Sequence, residues 1–194
     1  MEYLGHIISA KGVSTDPSKI TGIVNWLLPR TLKQLRGFLG LTGYYRRLVR
    51  GYGIIARSLT DMLKKDNIVW SAQAMQAFEK LMELMSSTPV LALPDFLKVF
   101  VVEVDASRYG IGAVLMQENH PIAYISKAFN KQQQSYSTYE KKLLGVVFAV
   151  QRWRHYLLNR HFFVRTDHYN LKYILDQRWT TNFQQKMVSK IDGI

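Results

Sequence analysis

Residues 99–126 hold three short β-type runs, Val99–Asp105, Ile111–Gln117 and Ile122–Ser126, with only turn residues between them. Tyr109-Gly110 and Asn119-His120-Pro121 are those turns, so the runs read as an antiparallel meander. A long apolar helix over about Ser137–Leu158 follows, then a fourth strand, Phe162–Thr166. A compact mixed sheet with flanking helices can bring these elements together. Two further helices are expected, Leu171–Leu175 capped by Asn170, and Phe183–Lys190. The order is β-β-β-α-β-α-α, an α/β (α+β) class.

The first half reads differently. Residues 2–14 form a small hairpin turning at Lys11-Gly12, and Asp16-Pro17 is a helix start, with Asp as N-cap and Pro at the first helical position. Helices follow over Ser18–Leu28, Leu32–Leu41 (capped by Thr31), about Tyr44–Val49, about Ile54–Lys64, and Ala72–Met85, whose Met75, Phe78, Leu81, Met82 and Met85 keep helical spacing. Two prolines in residues 88–97 mark a linker. The expected organisation is a hairpin (1–15), a helical unit (16–87), the linker, and a mixed α/β domain (98–194).

The chain has 26 Lys and Arg against 14 Asp and Glu, a net charge of +12 within 194 residues. With 47% hydrophobic residues it can bury a core, so the charge belongs to a folded protein that binds polyanions, nucleic acid first. Absence of cysteine excludes disulfides, zinc ribbons and thiol nucleophiles. No leader and no apolar run near 18 residues are visible, so an intracellular, non-secreted protein is expected, and both ends read as cuts within a longer polypeptide.

Seven cations, Arg30, Lys33, Arg36, Arg46, Arg47, Arg50 and Arg57, lie between Pro29 and Thr60 with no acid, and Tyr44, Tyr45 and Tyr52 are interleaved. Such a stretch can track a phosphate backbone while aromatics pack on sugars or bases; a solvated basic helix face is the plainer reading. Lys127, Lys141, Lys142, Arg152 and Arg154 add charge in the second half.

Three acids sit at structural junctions: Asp105 and Asp167 after strands, Glu140 in the first turn of the long helix. Clustered carboxylates are what hard divalent cations need. Each also has a structural reading: an Asx turn for Asp105, a favourable macrodipole interaction for Glu140, a surface strand end for Asp167. Ser107 and Asn170 can offer hydrogen bonds to a nucleic acid, or serve as turn and cap.

Tyr3–Val13 (Y-L-G-H-I-I-S-A-K-G-V) resembles the primer-grip hairpin of a reverse transcriptase palm, and Leu32–Arg47 (L-K-Q-L-R-G-F-L-G-L-T-G-Y-Y-R-R) its thumb. Asp105–Gln117, His120–Lys127, Tyr139–Leu144, Trp153–Leu157 and Arg165–His168 resemble a ribonuclease H domain, in the same order. The whole chain thus resembles part of the Pol polyprotein of gypsy-type retrotransposons, plant members fitting best. The resemblance implies Mg²⁺-dependent endonucleolytic hydrolysis of the RNA strand of RNA–DNA hybrids, with two ions (Mn²⁺ as a substitute) held by Asp105, Glu140 and Asp167. It implies a thumb that binds template–primer, with Arg36, Tyr44, Tyr45, Arg46, Arg47, Ser107 and Asn170 on nucleic acid. A palm upstream and an integrase downstream would complete the parent. The palm aspartates are absent, so polymerisation is not expected. The family's fourth acid, in a D-A-L-S-R-like segment, is also absent. These losses keep open an alternative: an inactive, nucleic-acid-binding remnant.

Overall fold

The computed structural model describes residues 1–167 and separates into two compact units, divided between Leu93 and Pro94. The expected helices at 171–175 and 183–190, His168 and Asn170 lie outside the described residues.

Unit 1 opens with an antiparallel sheet of β1 (Glu2–Tyr3), β2 (His6–Ser9) and β3 (Gly12–Thr15). The β1–β2 turn is Leu4-Gly5, both at positive φ (48° and 74°), which suits a tight hairpin. Gly12 lies at φ 125°, and a Cβ there would stand 2.0 Å from the Leu91 carbonyl oxygen, so only glycine fits. The contact belongs to a bridge between Val13 and Leu91, which brings the end of the helical region back onto the hairpin.

The helices are α1 (Pro17–Val24), α2 (Leu32–Tyr44), a 3₁₀ turn at Arg46–Leu48, α3 (Tyr52–Ile55), α4 (Arg57–Lys64) and α5 (Ala72–Ser86). Asp16, Thr31 and Ser71 cap α1, α2 and α5 by accepting from backbone N–H groups, which satisfies donors a helix start leaves open. Ile23, Leu35, Phe38, Leu59, Leu81 and Met85 form the core, all fully buried. The helix expected at 44–49 is instead the end of α2 plus the 3₁₀ turn, and the one expected at 54–64 is two helices broken at Ala56.

Unit 2 has a four-stranded sheet in the order β6-β5-β4-β7, from β4 (Phe100–Ala106), β5 (Gly110–Gln117), β6 (His120–Ala128) and β7 (Phe162–Arg165). The first three are the expected meander; β7 joins β4 in parallel. Between them come α6 (Lys131–Gln134), α7 (Thr138–Arg152) and α8 (Arg154–Leu157). The single long helix expected here breaks at Trp153, and α6 was not foreseen although Asn130 and Gln133 form its capping box.

α7 buries Leu143, Val146, Val147, Ala149 and Val150 against the sheet. Gly145 allows the close approach: a Cβ there would lie 2.7 Å from Val104 Cγ1 and 3.0 Å from Ile111 Cγ2. Farther along, in α8, the Tyr156 ring lies 6.0 Å from that of Phe100, at the start of β4, tilted by 53°. Helix and strand therefore run in opposite directions, and the start of α7 lies at the sheet end where β4 finishes. No helix among the described residues is long and apolar enough to cross a membrane.

Candidate functional site

The three acids reach one end of the unit 2 sheet by three routes. β4 and β7 pair from Phe100–Phe162 to Glu103–Arg165. Continuing that register by two residues would set Asp105 beside Asp167, so both carboxylates leave neighbouring strands at the same end. Glu140, in the first turn of α7, belongs to that end by the antiparallel run of helix and strand. The shared end is a consequence of topology.

The side chains do not converge as a metal pair requires. Glu140 is drawn into its own helix start. Its Oε2 accepts from Ser137 N (2.8 Å) and Ser137 Oγ (2.9 Å), while Ser137 Oγ accepts from Glu140 N (3.2 Å), a complete capping box. Ser137→Ala is expected to cost about 1 kcal/mol, read as a lower Tm. Asp105 is exposed and carries no ion pair with a described residue. Asp167 is paired to the amino group of Lys142. Among the described residues, no group of three His, Asp or Glu side chains could hold a metal ion. The described residues therefore do not fit the expected two-ion site.

Lys142 is the residue that sequence reasoning misplaced. It was expected to add surface charge for a duplex, yet it is only 4% exposed. It is the one buried Lys, Arg, Asp or Glu among the described residues. A signal existed: Lys142 shares a stripe with Gly145, Val146 and Ala149, at i+3, i+4 and i+7, which is the core-facing pattern of a helix. Lys127 does stay exposed, its Nζ lying 5.5 Å from the centre of the Phe148 ring. Arg152 and Arg154 are also exposed. Ser107 is turned to its own loop: its Oγ accepts from Tyr109 N and Gly110 N, both at 3.2 Å.

Unit 1 separates the basic stretch into three groups. Tyr45 is 1% exposed and its hydroxyl donates to the Gly5 carbonyl at 2.9 Å. Burial holds that phenol above its ordinary pKa. It is a core residue joining α2 to the hairpin, and it cannot stack on a base. Tyr44 is half-exposed; its hydroxyl donates to the Leu4 carbonyl and its ring stacks on His6 at 5.3 Å. Burial of the His6 ring lowers the His6 pKa, as expected for a group whose charged form is desolvated. Tyr52 is also engaged inside the unit, its hydroxyl 3.0 Å from Thr42 Oγ1. Arg36 pairs with Asp66 and Arg57 with Asp61, each at 3.7 Å. Arg30, Lys33, Arg46, Arg47 and Arg50 remain, all exposed and none paired with a carboxylate among the described residues.

A three-stranded meander, a buried crossover helix and a parallel fourth strand define unit 2 as a ribonuclease H-like domain. The family described as "RNase H-like domain found in reverse transcriptase" matches residues 70–164. The chain belongs to the Pol polyproteins of retrotransposons, matching them as a fragment. It is 43% identical over 174 residues to the Pol polyprotein of transposon 297 from Drosophila melanogaster, covering 89% of this chain and 16% of that protein. It is 35% identical over 206 residues to the Pol polyprotein of Drosophila transposon gypsy, covering 99% of this chain and 20% of that one. Among solved structures it is similar in fold to a foamy viral protease–reverse transcriptase in complex with an RNA/DNA hybrid. That likeness has a TM-score of 0.83 at 21% identity, over 99% of this chain and 28% of the viral one. The chain thus spans about a fifth or less of the length of these curated relatives.

Proposed function

We propose that this chain grips nucleic-acid duplexes, template–primer and RNA–DNA hybrid, as the thumb and ribonuclease H-like part of a retroelement reverse transcriptase, and that it does so without cutting them. A palm upstream and an integrase downstream would belong to the same parent polyprotein. The five exposed cations of the Pro29–Thr60 stretch that pair with no described carboxylate carry the binding reading. Arg30, Lys33, Arg46, Arg47 and Arg50 pair with no carboxylate among the described residues, so phosphates can engage them without breaking such a pair. Arg36 would have to give up an exposed pair with Asp66, a small cost at a surface. Such contacts position a duplex without reading its sequence. Preference for a hybrid over DNA would come from duplex shape and the 2′-hydroxyl.

The second reading is Mg²⁺-dependent cleavage of the RNA strand, with Asp105, Glu140 and Asp167 as ligands and Mn²⁺ as a substitute. One observation favours it: the parallel β4–β7 register ends at Glu103–Arg165, and its continuation by two residues would set Asp105 beside Asp167. Against it stand the capping bonds of Glu140 and the pairing of Asp167 with Lys142.

Fluorescence anisotropy with a labelled RNA–DNA hybrid, in EDTA at 50 mM salt, tests the binding. Saturable binding that varies little with sequence is expected. Absence of binding under these conditions would refute the reading.

A further inference from the structure

We infer that Lys142 serves as a built-in cation at the acidic end of the unit 2 sheet, taking the place a divalent ion would need and leaving the site insensitive to metal. The inference deepens the non-cutting reading above and rests on it for its functional sense.

The placement follows from packing. Gly145 lets α7 descend onto Val104 and Ile111. Lys142 lies one turn before Gly145 on the same buried stripe. Because α7 runs opposite to β4, that turn sits at the end where Val104 gives way to Asp105. Lys142 cannot swing out to water without leaving the core that holds its stem. Its amino group emerges at the sheet end and meets the Asp167 carboxylate, which is itself 73% exposed.

The chemistry follows from charge. A divalent ion shared by Asp105 and Asp167 would have to sit within a few ångströms of a lysine ammonium, and like charges at that range repel. It would also have to take Asp167 from a partner that is bonded to it. A buried ammonium needs an anion more than a solvated one does, because it has lost most of its hydration. Meanwhile the helix's own acid, Glu140, is committed to Ser137. The α7 start therefore presents a positive group toward the strand-end carboxylates, where a metal pair would require a negative one.

Mn²⁺ binding by the full 194-residue chain, followed by electron paramagnetic resonance of the free ion, tests this. The unsubstituted chain and Asp105→Asn should bind Mn²⁺ alike. Lys142→Glu should gain a site at least tenfold tighter, lost again when Asp105→Asn is added. Lys142→Met, close in volume and neutral, should show a weaker gain of the same Asp105 dependence. Circular dichroism identifies which variants fold. Asp105-dependent Mn²⁺ binding in the unsubstituted chain would overturn the inference. So would a folded Lys142→Glu or Lys142→Met that gains nothing. Hybrid binding in EDTA, measured on the same samples, separates the two readings: its loss would refute the duplex grip and leave the metal result standing.

Discussion

Raising salt from 50 to 200 mM should weaken duplex binding by about 500-fold or more. Each phosphate neutralised releases condensed counterions, and log K falls with log salt at about −0.9 per contact on B-form DNA. Five cations of the Pro29–Thr60 stretch, unpaired among the described residues, give a slope of about −4.5, and a fourfold rise in salt then costs about 500-fold. Exposed cations of unit 2, Lys127, Arg152 and Arg154, can only steepen it. The triple variant Arg46→Ala/Arg47→Ala/Arg50→Ala should lose about 2.7 from the slope. It should keep its fold, since all three side chains are exposed. Tyr45→Phe gives a contrast. Loss of its hydroxyl removes the bond to Gly5 and should lower stability by about 1 kcal/mol without moving the slope. A slope shallower than about −2 would mean that the exposed cations are not the binding surface.

The second large effect is expected at Gly145. Replacing a helical glycine by alanine ordinarily stabilises a helix by about 1 kcal/mol. Gly22 in α1 and Gly40 in α2, with nothing within 4 Å of a built Cβ, should follow that rule. Gly145 should reverse it. Its Cβ would meet Val104 and Ile111, both buried, at 2.7 and 3.0 Å. The atoms it meets are methyl and methylene groups on branched β-carbons, whose rotamers are stiff, so they yield only if α7 moves off the sheet. Overpacking of this kind costs about 1–3 kcal/mol. Gly145→Ala should therefore be net destabilising by about 1 kcal/mol, and Gly145→Val by about 3 kcal/mol or more, measured by denaturant unfolding. Displacing α7 would also draw Lys142 from Asp167, so Gly145→Ala should change Mn²⁺ binding in the direction of Lys142→Met.

The elements with strong local chemistry were legible in the sequence. Alternating apolar runs between turn residues located β4, β5 and β6, and Asp16-Pro17 and Thr31 marked their helix starts. What was not legible was the direction in which particular side chains point. Tyr44 and Tyr45 are adjacent and chemically alike. Yet Tyr45 is 1% exposed, its hydroxyl on the Gly5 carbonyl and its ring edge-on to His6, while Tyr44 is half-exposed. Glu140 and Lys142 pose the same problem on α7. Glu140 was read as a metal ligand from family resemblance, with a helix-start role as its plain alternative; the structure shows the bonds of that alternative. Lys142 was read by its charge, while its position in the stripe with Gly145 and Val146 decides its environment. Breaks at Ala56 and Trp153 are not legible in the sequence because apolar periodicity continues across both, and periodicity reports the buried face more faithfully than the helix end.

The most direct measurement is denaturing electrophoresis of an end-labelled RNA strand, annealed to DNA and incubated with the full chain in Mg²⁺ and then in Mn²⁺. The strand should stay intact under conditions where anisotropy shows it bound. Cut RNA that appears with either ion, and disappears with Asp105→Asn, would contradict the account.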